Sequence, residues 1–436
     1  MLTRPRIFVF LFVALLVLLT ACGSSSPTSN TTRATAVATN DTTSNSPAIT
    51  KCPTQIAPLA DCHTPYTQRL AYGLEPLLQK GFTGKGQSIV DIVSFGSPTL
   101  QQDMDVFDRQ FGLPPIKIDI RAPIGTVPFN PQNTDMLGWV GETTLDVQIM
   151  HAIAPDAKIV VLTSPVSETE GTIGFPEFLK LEQYAISNHL GNIFSQSYAA
   201  SEYTLNTPEG HALVNTYTKF YQQAATQQGI TVLSSSGDNG TVDFSDLKAT
   251  KLTTSRTVNY PASDPWVTSI GGTTEPGTSS NLPETAWPHS GGGVSTFFKQ
   301  PDYQAKLPSS VQSLLQGARG LPDVSANADP QSGMAFYVHG LWTTAGGTSA
   351  SAPLWAGMIA IANQMAGHPL GFINPALYKL GESPEYASYF HDITVGDNST
   401  ATVKGFKATT GWDAVTGWGT PNAEKLLPAL IAATKS

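Results

Sequence analysis

Gly229-Ile230-Thr231-Val232-Leu233-Ser234-Ser235-Ser236-Gly237-Asp238-Asn239-Gly240 sets a short β-branched run directly before a turn. Val, Ile and Thr fit a pleated surface while Ser, Gly, Asp and Asn favour turns, so a strand is expected to end just before Asp238. Similar apolar runs recur at 88–92, 158–162, 192–195 and 267–270, with helical patterns near 99–110, 142–154, 176–189 and 210–227 between them. Strands that alternate with helices join as parallel neighbours, because a parallel pair needs a long crossover. The chain is therefore read as α/β, with a doubly wound, mainly parallel sheet and flanking helices. Asp238 then lies past the carboxyl end of a strand, where ligands gather in open α/β sheets, although Asp-Asn-Gly is also an ordinary turn sequence.

A second segment carries a candidate nucleophile. Ala345-Gly346-Gly347-Thr348-Ser349-Ala350-Ser351-Ala352-Pro353 precedes a helix-like stretch at 354–365. The two glycines remove side-chain bulk, and the amides of a first helical turn favour negative charge beside Ser349. The same residues also make N-caps and tight helix packing, so the motif needs company. A serine nucleophile usually takes its base from histidine. None of His63, His151, His189, His211, His289, His339, His368 and His391 sits in a His-Gly-Thr-His segment, and neither Gly-x-Ser-x-Gly nor His-Glu-x-x-His occurs. The chain offers instead Gly141-Glu142-Thr143-Thr144-Leu145-Asp146-Val147-Gln148, which leads into a helix stopped by Pro155. Glu142 and Asp146, four residues apart, share a helical face at a cost of a few tenths of a kcal/mol. Either they are held there for chemistry or both face water.

Together these segments resemble the sedolisin family of serine-carboxyl peptidases, in its kumamolisin-like branch. The resemblance begins near 66–76, continues through Gly84-Lys85-Gly86-Gln87 and Phe111-Gly112-Leu113-Pro114, and runs to Gly417-Trp418-Gly419-Thr420-Pro421-Asn422. It implies a subtilisin-like fold and an acid-active endopeptidase with a protein or peptide substrate. By the same resemblance Ser349 is the nucleophile, Glu142 and Asp146 are base and orienter, and Asp238 supports the oxyanion. Carboxyl groups suit that work in acid, where an imidazole is already protonated. Ser94 stands where some relatives carry a glutamate that extends the acid network. In the C-terminal segment, 392–398 and 409–413 resemble the two halves of a calcium site, with Asp392, Ile393, Thr409, Gly411 and Asp413 as ligands to one Ca²⁺. Hard oxygen donors in loops suit that ion, and Asp-rich turns are the alternative.

The ends place the chemistry outside the cell. Arg4 and Arg6 precede an apolar run at 7–19, read as a signal peptide over residues 1–21. Leu19-Thr20-Ala21-Cys22 resembles a lipobox, so Cys22 is expected to carry lipid and hold the protein at a membrane; an ordinary signal peptide is the alternative. Residues 22–50 form a Ser/Thr-rich linker and 51–436 the peptidase domain. Export permits a disulfide between Cys52 and Cys62, and a reduced pair is the alternative. Charged residues make up 13% of the chain, against about 25% in ordinary domains, and 33 acidic side chains outnumber 24 basic ones. No basic patch suggests nucleic acid. Between Cys22 and the peptidase resemblance lie only about forty residues, too few for the prodomain usual in the family. A separately encoded prodomain or inhibitor stays open, and a monomer is expected. Two rival readings remain: a retired protease fold used for binding, and a neutral hydrolase using His151.

Overall fold

Ser88–Ser94 alternates in a way that fixes the sheet's two faces. Ile89 and Val93 enter one hydrophobic core, while Val90 and Ile92 enter the other. Residues two apart on a strand share a face, so the strand is covered on both sides. The structure is a computed structural model that describes residues 48–56, 61–277 and 282–435. Its central sheet has eight strands. These are β1 (Ser88–Ser94), β2 (Asp119–Arg121), β3 (Lys158–Ser164), β4 (Ile193–Gln196), β5 (Thr231–Ser235), β6 (Thr268–Thr274), β7 (Thr285–Ala286) and β8 (Val324–Asn327). The order is β8-β6-β5-β4-β1-β3-β2 with every pair on this path parallel, and β7 pairs antiparallel with β6.

Helices cover both faces, as the sequence pattern requires. On the Ile89 face pack α1 (Leu100–Phe111), α2 (Thr134–Ile153), α5 (Thr348–Ala366), α6 (Asn374–Gly381) and α7 (Ala423–Ala433). On the Val90 face pack α3 (Phe175–Ser187) and α4 (Pro208–Gln227). From β1 the chain builds β2 and β3 on one side and then crosses to β4, β5 and β6 on the other. The strand order thus reverses between β1 and β4, which opens a crevice at their carboxyl ends.

Two helix starts differ from the sequence reading. α2 begins at Thr134 rather than near 142, because the Asn133 side chain accepts hydrogen bonds from the amides of Asp135 and Met136. α5 begins at Thr348 and carries Pro353 inside it. Proline has no N–H, so the Ser349 carbonyl loses its helical partner. That carbonyl instead accepts from Ser197 Oγ at 3.4 Å.

At the amino end of the described residues Cys52 and Cys62 are bonded. The adjoining segment docks beside residues 331–335, where the Asp61 amide donates to the Gln331 carbonyl and the Ala335 amide to the His63 carbonyl. The signal peptide, the lipobox at Cys22 and most of the linker lie outside the described residues. No described helix is long and apolar enough to cross a membrane.

Candidate active site

Ser349 is the second residue of α5 and is half-buried, so its hydroxyl stands at the mouth of the helix. The residue two before it, Gly347, has φ +84°, and a Cβ there would lie 2.4 Å from Asp238 Oδ2. Only glycine both adopts that backbone and admits the carboxyl. Asp238 is the third residue beyond β5, as the opening stretch implied. Its Oδ1 accepts from the Thr348 amide at 2.7 Å and from Thr348 Oγ1 at 2.9 Å. The loop and helix are clamped further where the Gly237 amide donates to Thr348 Oγ1 at 3.0 Å. Burial pushes the Asp238 carboxyl up, and the Thr348 donors and the exposed His289 pull it part of the way back.

α2 supplies the next two groups. The Ser349 hydroxyl faces the Glu142 carboxyl; burial lifts that carboxyl above its ordinary range, while the hydroxyl pulls it down and the Asp238 charge pushes it up. One turn on, Asp146 is fully buried and accepts from Ser197 Oγ at 2.9 Å. Burial first, then the charges of Asp91 and Glu142, hold it well above the usual carboxyl range. The expectation that Glu142 and Asp146 share a helical face holds. Glu142 turns to Ser349 and Asp146 to the strands.

Ser94 takes no part in this network. It lies on the opposite face of β1, where its hydroxyl donates to the Val166 carbonyl at 2.9 Å and accepts the Glu168 amide at 3.0 Å. The third carboxyl comes from Asp91, between Ile89 and Val93 and on their face, where it bonds Asp146. Asp91 and Ser197 are the two residues that motif reading missed. The signal for Asp91 was present, since a charged residue at an inward position of an otherwise apolar strand is costly unless it is used.

His151, the proposed neutral base, is fully buried elsewhere. Its Nε2 lies 2.9 Å from the Pro114 carbonyl and 3.2 Å from Asp108 Oδ1. Helix geometry turns it toward α1, away from Glu142, so that reading is withdrawn.

The expected calcium ligands were tested in the same way. Asp392 and Asp413 both press on Tyr386, so the two halves of the motif do meet. Asp392 Oδ1 takes the Tyr386 hydroxyl at 2.9 Å, and both its oxygens face the Gly411 amide. Asp413 takes the amides of Thr409, Val415 and Thr416, each at 2.9 Å. No basic side chain contributes to the Asp413 environment, so a cation would supply charge that the protein does not. The two carboxylates fit an oxygen-ligated ion in that respect. Among the described residues no group of three or more His, Cys, Asp or Glu side chains is arranged to hold a metal, so backbone carbonyls would have to complete the shell.

A parallel sheet with its switch point at a serine and a set of carboxyls defines a class that the comparisons then specify. A model of the subtilase family matches residues 125–376. Kumamolisin of Bacillus sp. (strain MN-32) is 34% identical over 364 residues, covering 81% of this chain and 61% of kumamolisin. Tripeptidyl-peptidase 1 of Homo sapiens is 32% identical over 314 residues, covering 66% of this chain and 52% of that protein. Among solved structures, Pseudomonas sedolisin, a serine-carboxyl proteinase complexed with two molecules of pseudo-iodotyrostatin, aligns with a TM-score of 0.70 at 25% identity, over 86% of this chain and 99% of that one. The chain belongs to the subtilase family. Within it these relatives mark a kumamolisin-like member of the sedolisin type, although the chain spans only 61% of kumamolisin's length.

Proposed function

We propose that the chain is a serine-type endopeptidase that cleaves peptide bonds in acid through an acyl-enzyme on Ser349. The observation that carries this reading is the Glu142 carboxyl facing the Ser349 hydroxyl, at a helix mouth whose preceding glycine seats Asp238. Glu142, half-exposed, gives up its proton before the sealed Asp91, because burial penalises a charge most where water is absent. As the carboxylate it takes the Ser349 proton while Oγ bonds to the substrate carbonyl carbon. Asp146 behind it orients the base. The carbonyl oxygen becomes an oxyanion, and Asp238 Oδ2, kept neutral by burial, donates to it. When the tetrahedral species collapses, Glu142 passes its proton to the leaving amine. Water then repeats the sequence on the acyl-enzyme.

The same reading includes one Ca²⁺ at Asp392, Ile393, Thr409, Gly411 and Asp413, holding the C-terminal loops together. It also places a monomer outside the cytoplasm, anchored by a lipid on Cys22, with a separate prodomain or inhibitor as a partner to be sought. Mass spectrometry of the mature N-terminus checks the anchor: an unmodified terminus at another residue removes it.

Ser349→Ala is expected to lower peptide hydrolysis by about 10⁴-fold or more with the circular dichroism spectrum unchanged. Retained turnover refutes the nucleophile and favours a binding role for the fold. Activity is expected to peak below about pH 5 and to fade as Asp238 loses its proton. An optimum at pH 7 to 8 that Asp238→Asn does not move sinks the acid mechanism.

A further inference from the structure

Behind the proposed base pair stands a third acid with nowhere else to bond. Asp91 is fully buried in the middle of β1, where it is level with Val161 of β3 and Ser195 of β4. Neither of its carboxyl oxygens has a donor outside the acid set. Asp146 Oδ2 is likewise sealed and unmatched, whereas Asp146 Oδ1 is taken by Ser197. The two side chains bond each other. Two carboxyls bond only when one of them holds a proton, since two carboxylates offer acceptors alone.

Which one holds it follows from the surroundings. Asp146 already accepts the Ser197 hydroxyl, a contact that favours its charged form. Among the described residues Asp91 has no partner but Asp146 itself. The groups that face Asp91 are Glu142 and Asp146 from α2, and α5, packed against the same face, contains no charged residue at all. Burial and the Glu142 charge outweigh the Asp146 contact, which alone would favour an Asp91 anion, and hold the Asp91 carboxyl well above the ordinary range.

We propose that Asp91 is a positioning residue which keeps its proton through the reaction and donates it to Asp146, so that Asp146 stays an anion behind Glu142. No bond of Asp91 forms or breaks in this role. The moving proton passes from Ser349 Oγ to Glu142 and on to the leaving group, and Glu142 is the better acceptor for having Asp146 as a carboxylate at its back. The proposal rests on the roles given above to Ser349, Glu142 and Asp146.

The test is the pH dependence of kcat and KM for a peptide substrate in Asp91→Ala and Asp91→Asn, beside wild type and Ser349→Ala. Asp91→Ala removes the donor and is expected to lower kcat about tenfold or more, the worth of one hydrogen bond to a charged group, with KM little changed. Asp91→Asn keeps a neutral donor of the same shape. It is expected to restore most of the lost kcat and to leave the acid limb of the pH profile in place. If Asn moves that limb to lower pH, Asp91 was an anion in the wild type and the proposal is overturned. It is also overturned if Ala and Asn lose kcat equally, or if Ala loses none. Should Asp91→Ala fail to fold, the acid limb of Asp91→Asn decides alone. If Ser349→Ala retains turnover, the failure lies with the catalytic reading and not with Asp91.

Discussion

Two aspartates of this molecule are equally buried and could hardly be treated more differently by their neighbours. Asp323, just before β8, takes a two-pronged contact from Arg319 at 2.8 and 2.6 Å, the Tyr378 hydroxyl at 2.9 Å and the Ser269 amide at 2.8 Å. Asp91 meets only another acid. A buried charge is tolerated when donors replace its water, so Asp323 is an anchor of the fold. Asp91 has no such compensation and stands beside the acids proposed to do the chemistry. Asp238 stands between them, with one oxygen answered twice by Thr348 and the other left over Gly347. Among these three aspartates, how completely the carboxyl is answered tells more about its proposed role than burial does.

The contrast is broken most severely at Asp323. Asp323→Asn leaves the buried Arg319 guanidinium without its counter-charge, and about 3–5 kcal/mol of stability should be lost. Thermal unfolding measures this, and a melting temperature within a degree or so of wild type would show that the pair is not an anchor. At Asp238 the loss should appear in rate. Asp238→Ala is expected to cost about a hundredfold to a thousandfold in kcat, and Asp238→Asn, which still carries a donor, distinctly less. Equal losses would mean that Asp238 acts through the loop and not through a proton.

A smaller effect tests the buried carboxyls together. Burial raises Glu170 and Glu284 to about 7 and Asp264 to about 6, and lifts Glu142 above its ordinary value as well. A carboxyl raised on folding contributes stability that is full below its unfolded pKa and is lost as pH climbs toward the folded one. The melting temperature should therefore fall between pH 4 and pH 7, and the fall should be shallower in Asp91→Asn. A rise over that interval contradicts the assignment. The smallest effect concerns the C-terminal loops. A chelator at pH 6 should lower the melting temperature of the wild type but not of Asp413→Ala, and no response in the wild type would remove calcium from the proposal.

The architecture was legible because period-2 and helical patterns alternate without interruption from β1 to β6. The candidate site's placement was legible through short motifs whose spacing survives folding: Glu142 and Asp146 on one turn, Ser349 behind two glycines, Asp238 past a strand. What was hidden depends on non-local pairing. The early start of α2 turned on a single cap at Asn133, within a segment that reads as polar loop. Ser197 matters because it meets Asp146 and the carbonyl that Pro353 releases, on two helices far from it along the chain. Asp91 lies in no motif, and family resemblance drew attention to Ser94 instead, although strand alternation alone puts the two on opposite faces. For the metal loops the sequence named the carboxylates, but most of their donors prove to be backbone amides, which no side-chain pattern records.

Glu142 in the place where a serine hydrolase usually keeps an imidazole also sets the pharmacology of the site. Haloketone reagents that owe their irreversibility to alkylating a catalytic histidine find no ring nitrogen beside Ser349, and should behave as weak reversible ligands. Peptide aldehydes need only the serine and a proton for the hemiacetal oxygen. Asp238 Oδ2 is placed to give it, so an inhibitor collection sorted by warhead should divide along that line.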